Sequence, residues 1–265
     1  MKLGGGSLYK LGGTITRGDI LNNYVPIKGT QPKIYKDGKF IKEDLFGGEA
    51  ITEVLISEFL LACNEDNFVT YTLGDSLTIC ESDSYRGSDT IYLTFVDLLV
   101  VLGYNKTDWL KQTKHMLPEQ RYQLVEGVYL SLGISGKDIH NYFSRMLTLD
   151  YIFSNEDRHL NNFGVNYNYT HKCYTIPKLY DNGLSLVNKY RVPLFMKRYL
   201  LTQHKVKSQP FSSNFNDNLN VVGMYDFKFS ADIFHTVHDE RIPDTNKYYR
   251  LFAHCINDHF NNKLI

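Results

Sequence analysis

The sequence predicts an α+β fold in two lobes, a small β-rich lobe with one helix over residues 1–81 and a larger helical lobe over residues 82–265. Three observations predict it. Short β-type runs cluster around an Asp37-Gly38 pair early in the chain, apolar residues recur at helical spacing beyond Leu93, and a polar, turn-rich crossover at residues 81–89 separates the two regimes.

Residues 1–31 carry Gly4-Gly5-Gly6, Gly12-Gly13 and Gly29-Thr30, so loops around at most short strands are expected there. Lys33–Lys36 and residues 40–42 are β-type runs flanking Asp37-Gly38, a dipeptide that favours a two-residue hairpin turn. From Glu49 to Cys63, Ile51, Val54, Leu55, Phe59 and Ala62 predict an amphipathic helix, with Glu49, Glu53 and Glu58 facing the sheet or solvent. Residues 68–73 and 77–80 read as strands joined by Gly74-Asp75. Residues 93–103, 118–133 and 136–153 read as helices bounded by Gly or Pro. Residues 163–167 and 173–176 form a short strand pair, residues 204–220 a polar loop, and residues 248–260 a closing helix.

Composition narrows the function classes. The chain has 265 residues with 29 basic and 29 acidic side chains, so no global field draws it onto nucleic acid or an anionic membrane. Cys63, Cys80, Cys173 and Cys255 lie far apart without a C-x-x-C pair, which argues against a zinc ribbon or a disulfide framework and predicts reduced, buried thiols. No run approaches the roughly 20 apolar residues of a membrane helix, and the early glycines interrupt any apolar core of a secretory signal. A cytoplasmic protein is expected.

The chemistry concentrates in Asn155-Glu156-Asp157-Arg158-His159-Leu160-Asn161-Asn162-Phe163-Gly164, followed by Tyr180-Asp181-Asn182-Gly183. Phosphoryl transfer asks little covalent chemistry of a protein: a carboxylate to orient and deprotonate a hydroxyl, and oxygen ligands for magnesium beside the phosphates. Asp157 suits the first role, Asn162 and Asp181 the second, and Arg158 and His159 orient the loop. The strand pair at residues 163–176 would fold Asp181 back toward Asp157. Asp157-x-x-x-x-Asn162 alone is common in loops, and Asp181 before Asn-Gly also suits a turn cap; together the motifs favour a site. A hydrolytic metal site on Asp157, His159 and Asp181 lacks the further histidines such sites use.

Such a site also needs a strand lysine for the phosphates and a helix glutamate to hold it. Lys42 is best placed, with Lys36 and Lys33 as rivals, and Glu53 or Glu49 is the partner. Gly29 and Thr30 are the candidate phosphate-covering loop, with Gly12-Gly13 second. Neither G-x-G-x-x-G nor G-x-x-x-x-G-K-[ST] is present.

Over roughly residues 28–190 the chain resembles the HipA-like family of Ser/Thr kinases in its compact, HipT-like form. The matching stretches are Ile41-Lys42-Glu43-Asp44 with Gly47 and residues 49–53, residues 146–164, and residues 178–186 with Tyr180-Asp181-Asn182-Gly183. The resemblance implies a bilobal protein-kinase-like fold that uses ATP and Mg2+. It implies Lys42 as the phosphate-binding lysine, Glu53 as its partner, Asp157 as the catalytic carboxylate, and Asn162 and Asp181 as magnesium ligands. It places the adenine-binding hinge near Cys80 and Glu81. It further implies a protein substrate such as an aminoacyl-tRNA synthetase, and a toxin role with a helix-turn-helix antitoxin. Some members autophosphorylate a serine in the Gly-rich loop, where this chain has Thr30 and no adjacent serine. A small-molecule or lipid-headgroup kinase and a catalytically silent pseudokinase are the competing readings.

Overall fold

Lys33–Lys36 (β1) and Lys39–Glu43 (β2) form the hairpin expected from Asp37-Gly38, whose φ values of 51° and 82° are those of the tight turn this dipeptide favours. The computed structural model describes residues 31–84, 89–186, 206–260 and 264. The Gly-rich candidates Gly29 and Thr30, with Gly12-Gly13, lie outside the described residues.

Thr72–Leu73 (β3) and Ile79–Asp83 (β4) complete an antiparallel sheet of order β1-β2-β4-β3. Only two residues of the expected 68–73 strand join it. Phe68 instead makes a parallel bridge to Leu179, with Val69 N donating to Leu179 O at 2.8 Å and Leu179 N to Asn67 O at 3.0 Å. The segment leading to Asp181 is thus tethered to the small lobe.

Glu49–Ala62 (α1) is buried on all sides, with every residue but Leu61 inaccessible, where periodicity predicted an amphipathic helix. Its glutamates go inside because each finds a partner. Glu49 accepts backbone N–H groups from Leu45, Phe46 and Gly47 at 3.0, 2.7 and 2.8 Å. Glu58 accepts from Asp239 N at 2.8 Å and meets His238 Nδ1 at 2.8 Å. Glu53 belongs to the site below.

The larger lobe begins with Thr90–Thr94 (β5) and Phe95–Val101 (α2). Residues 93–94, expected as helix, are strand because β5 pairs with Gly164–Asn168 (β6), which pairs with Cys173–Thr175 (β7). Lys106–Thr113 (α3), Pro118–Ser131 (α4) and Gly136–Phe153 (α5) follow α2 in the chain. Phe215–Val222 (α6), Ala231–Val237 (α7) and Lys247–Phe260 (α8) complete the lobe. Helix α6 falls where a polar loop was expected. Its polar residues bond locally: Asn214 Oδ1 caps Asn216 N at 2.8 Å, and buried Asn218 accepts from Phe211 and Ser212, while Leu219 and Val222 face the core.

An aromatic core underlies the β6 side of the site, with Phe143 against Phe163 at 5.5 Å, Phe95 against Phe163 at 5.4 Å and Phe153 stacked on Phe252 at 5.4 Å. The four cysteines are free; Cys63, Cys80 and Cys255 are buried as expected, but Cys173 on the short strand β7 is exposed. Among the described residues no helix is long and apolar enough to cross a membrane.

Candidate active site

Helix α5 stops at Ser154, which turns into the left-handed region at φ 53° and releases the chain into the Asn155–Gly164 loop. Arg158 fixes that loop from inside. Its fully buried guanidinium takes Asp150 of α5 through Nε at 3.0 Å and Nη2 at 2.9 Å, a fork that only arginine makes. Nη1 donates to Tyr180 O at 2.8 Å and Nη2 to Asn182 Oδ1 at 2.7 Å. Burial works against the Arg158 charge, but Asp150 outweighs it and holds the guanidinium above its ordinary value. One side chain therefore straps the loop to both α5 and the Tyr180-Asp181-Asn182 segment.

Asp157 stays at the rim, its side chain 35% exposed, with its N–H donating to Asn155 Oδ1 at 3.1 Å. Asn162 Nδ2 donates to Asp157 O at 2.6 Å, which engages the amide nitrogen and leaves Oδ1 as the acceptor available to a cation. His159 Nδ1 accepts from Asn161 N at 3.3 Å, so the ring proton sits on Nε2, 3.8 Å from Asp157 Oδ2. The Asn155–Gly164 loop also ties to α2: Phe95 N and Val96 N, unsatisfied within the helix, donate to Phe163 O and Leu160 O at 2.8 and 3.3 Å.

Asp181 adopts a left-handed φ of 62° and faces Lys42 of β2. Lys42 Nζ lies 2.7 Å from Glu53 Oε1 and 3.2 Å from Asp181 Oδ1. Of the two glutamates left open by sequence, Glu53 is the one whose carboxylate meets the lysine, because Glu49 is spent on the backbone of residues 45–47. Glu53 also accepts from Asn182 N at 3.0 Å, so it binds both lobes' contributions. Gly183 lets this turn press onto α1, since a Cβ there would stand 3.2 Å from Glu49 Cβ. Burial pushes the Asp181 carboxyl up, but Lys42, then Lys33 and Arg158, outweigh it and hold it down at about 2. Burial likewise opposes the charge on Lys42, and Glu53, with Tyr71 and Asp181, reverses the effect and raises it well above the ordinary value.

Lys42, Asp157, Asn162 and Asp181 line a cavity of about 540 Å3, within the range of small-molecule sites. Phe40, Ile91 and Leu93 supply apolar surface beside these polar groups. Cys80 and Glu81, expected at a base-binding edge, do not line it. Cys80 is fully buried, both residues are paired to β2 and β3 within the sheet, and the Glu81 side chain meets Lys39 at 2.9 Å. Ser82, one residue on, and residues 91–94 do line the cavity.

The oxygen donors suit magnesium. Among the described residues no three His, Cys, Asp or Glu side chains form a metal cage; Asp181 and Asn162 offer two oxygen donors, a set that would fit a magnesium ion taking its other ligands from phosphate and water. Arg158 was expected to orient the loop; its partner Asp150 was not identified as such from sequence. The available signal was a carboxylate placed among the apolar residues Leu147, Leu149, Ile152 and Phe153 of α5.

No family model and no curated protein matches the chain. Among solved structures, the chain is similar to the crystal structure of a Helicobacter pylori proinflammatory kinase, CtkA. The TM-score is 0.53 at 13% identity, over 86% of this chain and 90% of that one. The fold is kinase-like. At that identity the likeness concerns architecture, and it does not single out the HipA-like family among kinase-like proteins.

Proposed function

We propose that the protein is an ATP-dependent kinase that transfers the γ-phosphoryl group to a serine or threonine hydroxyl of a protein, in the manner of the HipA-like family. The observation that carries this reading is Lys42 Nζ held between Glu53 at 2.7 Å and Asp181 at 3.2 Å, in one cavity with Asp157 and Asn162. A kinase-like fold similar to that of CtkA supports it.

In this reading Lys42, steadied by Glu53, binds the ATP phosphates. Asp157 orients the acceptor hydroxyl and takes its proton as the hydroxyl oxygen bonds to the γ-phosphorus and the bond to the ADP oxygen breaks. Asn162 and Asp181 would hold magnesium, which when bound would neutralise charge developing on the phosphates. Arg158 fixes the distance between the Asp157 loop and Asp181. The cellular reading follows the same resemblance: a cytoplasmic kinase acting on a translation protein such as an aminoacyl-tRNA synthetase, paired with a helix-turn-helix antitoxin.

The test is incubation of purified protein with γ-labelled ATP, magnesium and a cell extract, beside Asp181→Ala. Label in a protein band, absent with the variant, is expected. Label only in acid-soluble metabolites would replace the protein-kinase reading with a small-molecule kinase, and no transfer to any fraction would favour a silent module.

A further inference from the structure

We propose that Tyr180 is a positioning residue whose phenol sets the spacing between Asn162 and Asp181, the two oxygen donors assigned to magnesium, with Tyr92 of β5 as its support; the inference rests on the ATP reading above. Arg158 ties the start of the Asn155–Gly164 loop to this segment through Tyr180 O at 2.8 Å. The phenol ties the other end, where Tyr180 OH donates to Asn161 O at 3.0 Å. Asn161 and Tyr180 directly precede Asn162 and Asp181 in the chain, so one hydrogen bond joins the neighbours of both donors.

A phenol carries a single proton. Asn161 O can only accept, so Tyr180 spends its proton there, and Tyr92 is the donor in the 2.5 Å contact between the two hydroxyls. The order Tyr92 to Tyr180 to Asn161 is thereby fixed, and each bond in such a chain polarises the next. The two rings meet edge to face with centroids 5.4 Å apart, so packing as well as hydrogen bonding directs the Tyr180 phenol. Tyr92 is itself registered opposite Asn166 on β6, the strand into which the loop runs. The support and the loop's exit therefore share one sheet. Other contacts hold the donors less directly to each other. Asn162 Nδ2 bonds Asp157 O within its own loop, Lys42 holds Asp181 against the small sheet, and the reach of Arg158 Nη1 to Asn162 O is long, at 3.4 Å. Magnesium demands near-ideal octahedral geometry with short oxygen contacts, so a change in donor spacing falls on metal affinity. Adenosine, which has no phosphate to bring a metal, does not feel it.

The experiment titrates the full chain with manganese, a stand-in for magnesium whose free ion is read by electron spin resonance, in the presence of ADP. Adenosine affinity is measured by calorimetry in chelator, and thermal unfolding checks that each variant is folded. Tyr180→Phe keeps the ring and removes the hydroxyl. Its manganese affinity should fall about fivefold, the scale of one net hydrogen bond, with adenosine affinity unchanged. Tyr92→Phe leaves the Tyr180 bond to Asn161 in place and should lose about twofold, and it should add nothing in the Tyr180→Phe background because it acts through the phenol. Equal manganese affinity in wild type and Tyr180→Phe would overturn the inference and leave the ATP reading standing. Equal losses for manganese and adenosine would overturn it too, since the effect would then be a general loosening of the cavity. Fully additive losses in the double variant would break the chain from Tyr92. A wild type that binds neither adenosine nor manganese with ADP would overturn the ATP reading and this inference with it.

Discussion

Arg158 shows how one residue type decides the site. Its guanidinium is 2% exposed and joins Asp150, Tyr180 and Asn182, three points from two distant segments. Truncating one side of such a buried ion pair strands the other charge, at a cost of about 3–5 kcal/mol. Arg158→Met should therefore lower the stability measured by urea unfolding by that amount; an unchanged midpoint would show that the strap carries no load. At this scale the sequence was partly legible. Asp157, Asn162 and Asp181, which the fold brings to one cavity, could be singled out because they fall in two short motifs. The choice of Glu53 over Glu49 was not, since the two residues share one helix face and differ only in what the loop at residues 45–47 takes from Glu49. That Cys80 and Glu81 stand away from the cavity was not legible, because the sequence does not reveal that both are paired to β2 on one side and β3 on the other.

Helix α1 is the element through which both lobes meet. Glu53 meets Lys42 and Asn182, and five residues further along Glu58 meets the loop after α7. Both nitrogens of His238 face acceptors, Glu58 Oε2 at 2.8 Å and Ile242 O at 3.1 Å, an arrangement satisfied only by the doubly protonated ring. Phe234 and Tyr249 enclose the ring, and Asp239 adds a second carboxylate beside Glu58. Burial lowers the affinity of His238 for its proton, but Glu58, Ile242 O and Asp239 together raise it above 6.5. A raised folded-state value gives a contribution that is fully present below about pH 6.5 and is lost as pH rises through the folded value. His238→Gln should remove that part of the pH dependence in unfolding measurements between about pH 5 and 9. Identical wild-type and variant slopes would contradict the charged-ring assignment. Among elements, the hairpin, α1, α4, α5 and α8 were legible from turn chemistry and period. Strand β5 was not, because its conformation is set by pairing with β6 across a gap of some seventy residues.

At the scale of the molecule, Lys42 from the sheet, Asp157 from the loop after α5, and Asp181 from the segment tethered to Phe68 converge on one cavity. The chain has no net charge and brings no global field to an anionic ligand, so any such attraction would be local to the cavity. The α+β organisation, a small antiparallel sheet beside a larger helical part, was legible because β-type runs give way to helical spacing along the chain, while the two-residue exchange at Phe68 and Leu179 leaves no periodic trace. In the proposed function this cavity performs phosphoryl transfer with Asp157 as the group that takes the hydroxyl proton. The measurement that tests it most directly compares wild type, Asp157→Ala and Asp181→Ala in ATP–magnesium binding and in γ-phosphoryl turnover on the same preparations. The account predicts that Asp157→Ala binds ATP–magnesium as wild type does and loses turnover by about a hundredfold or more, and that Asp181→Ala loses turnover together with the magnesium-dependent part of ATP binding. Turnover retained in Asp157→Ala would contradict it.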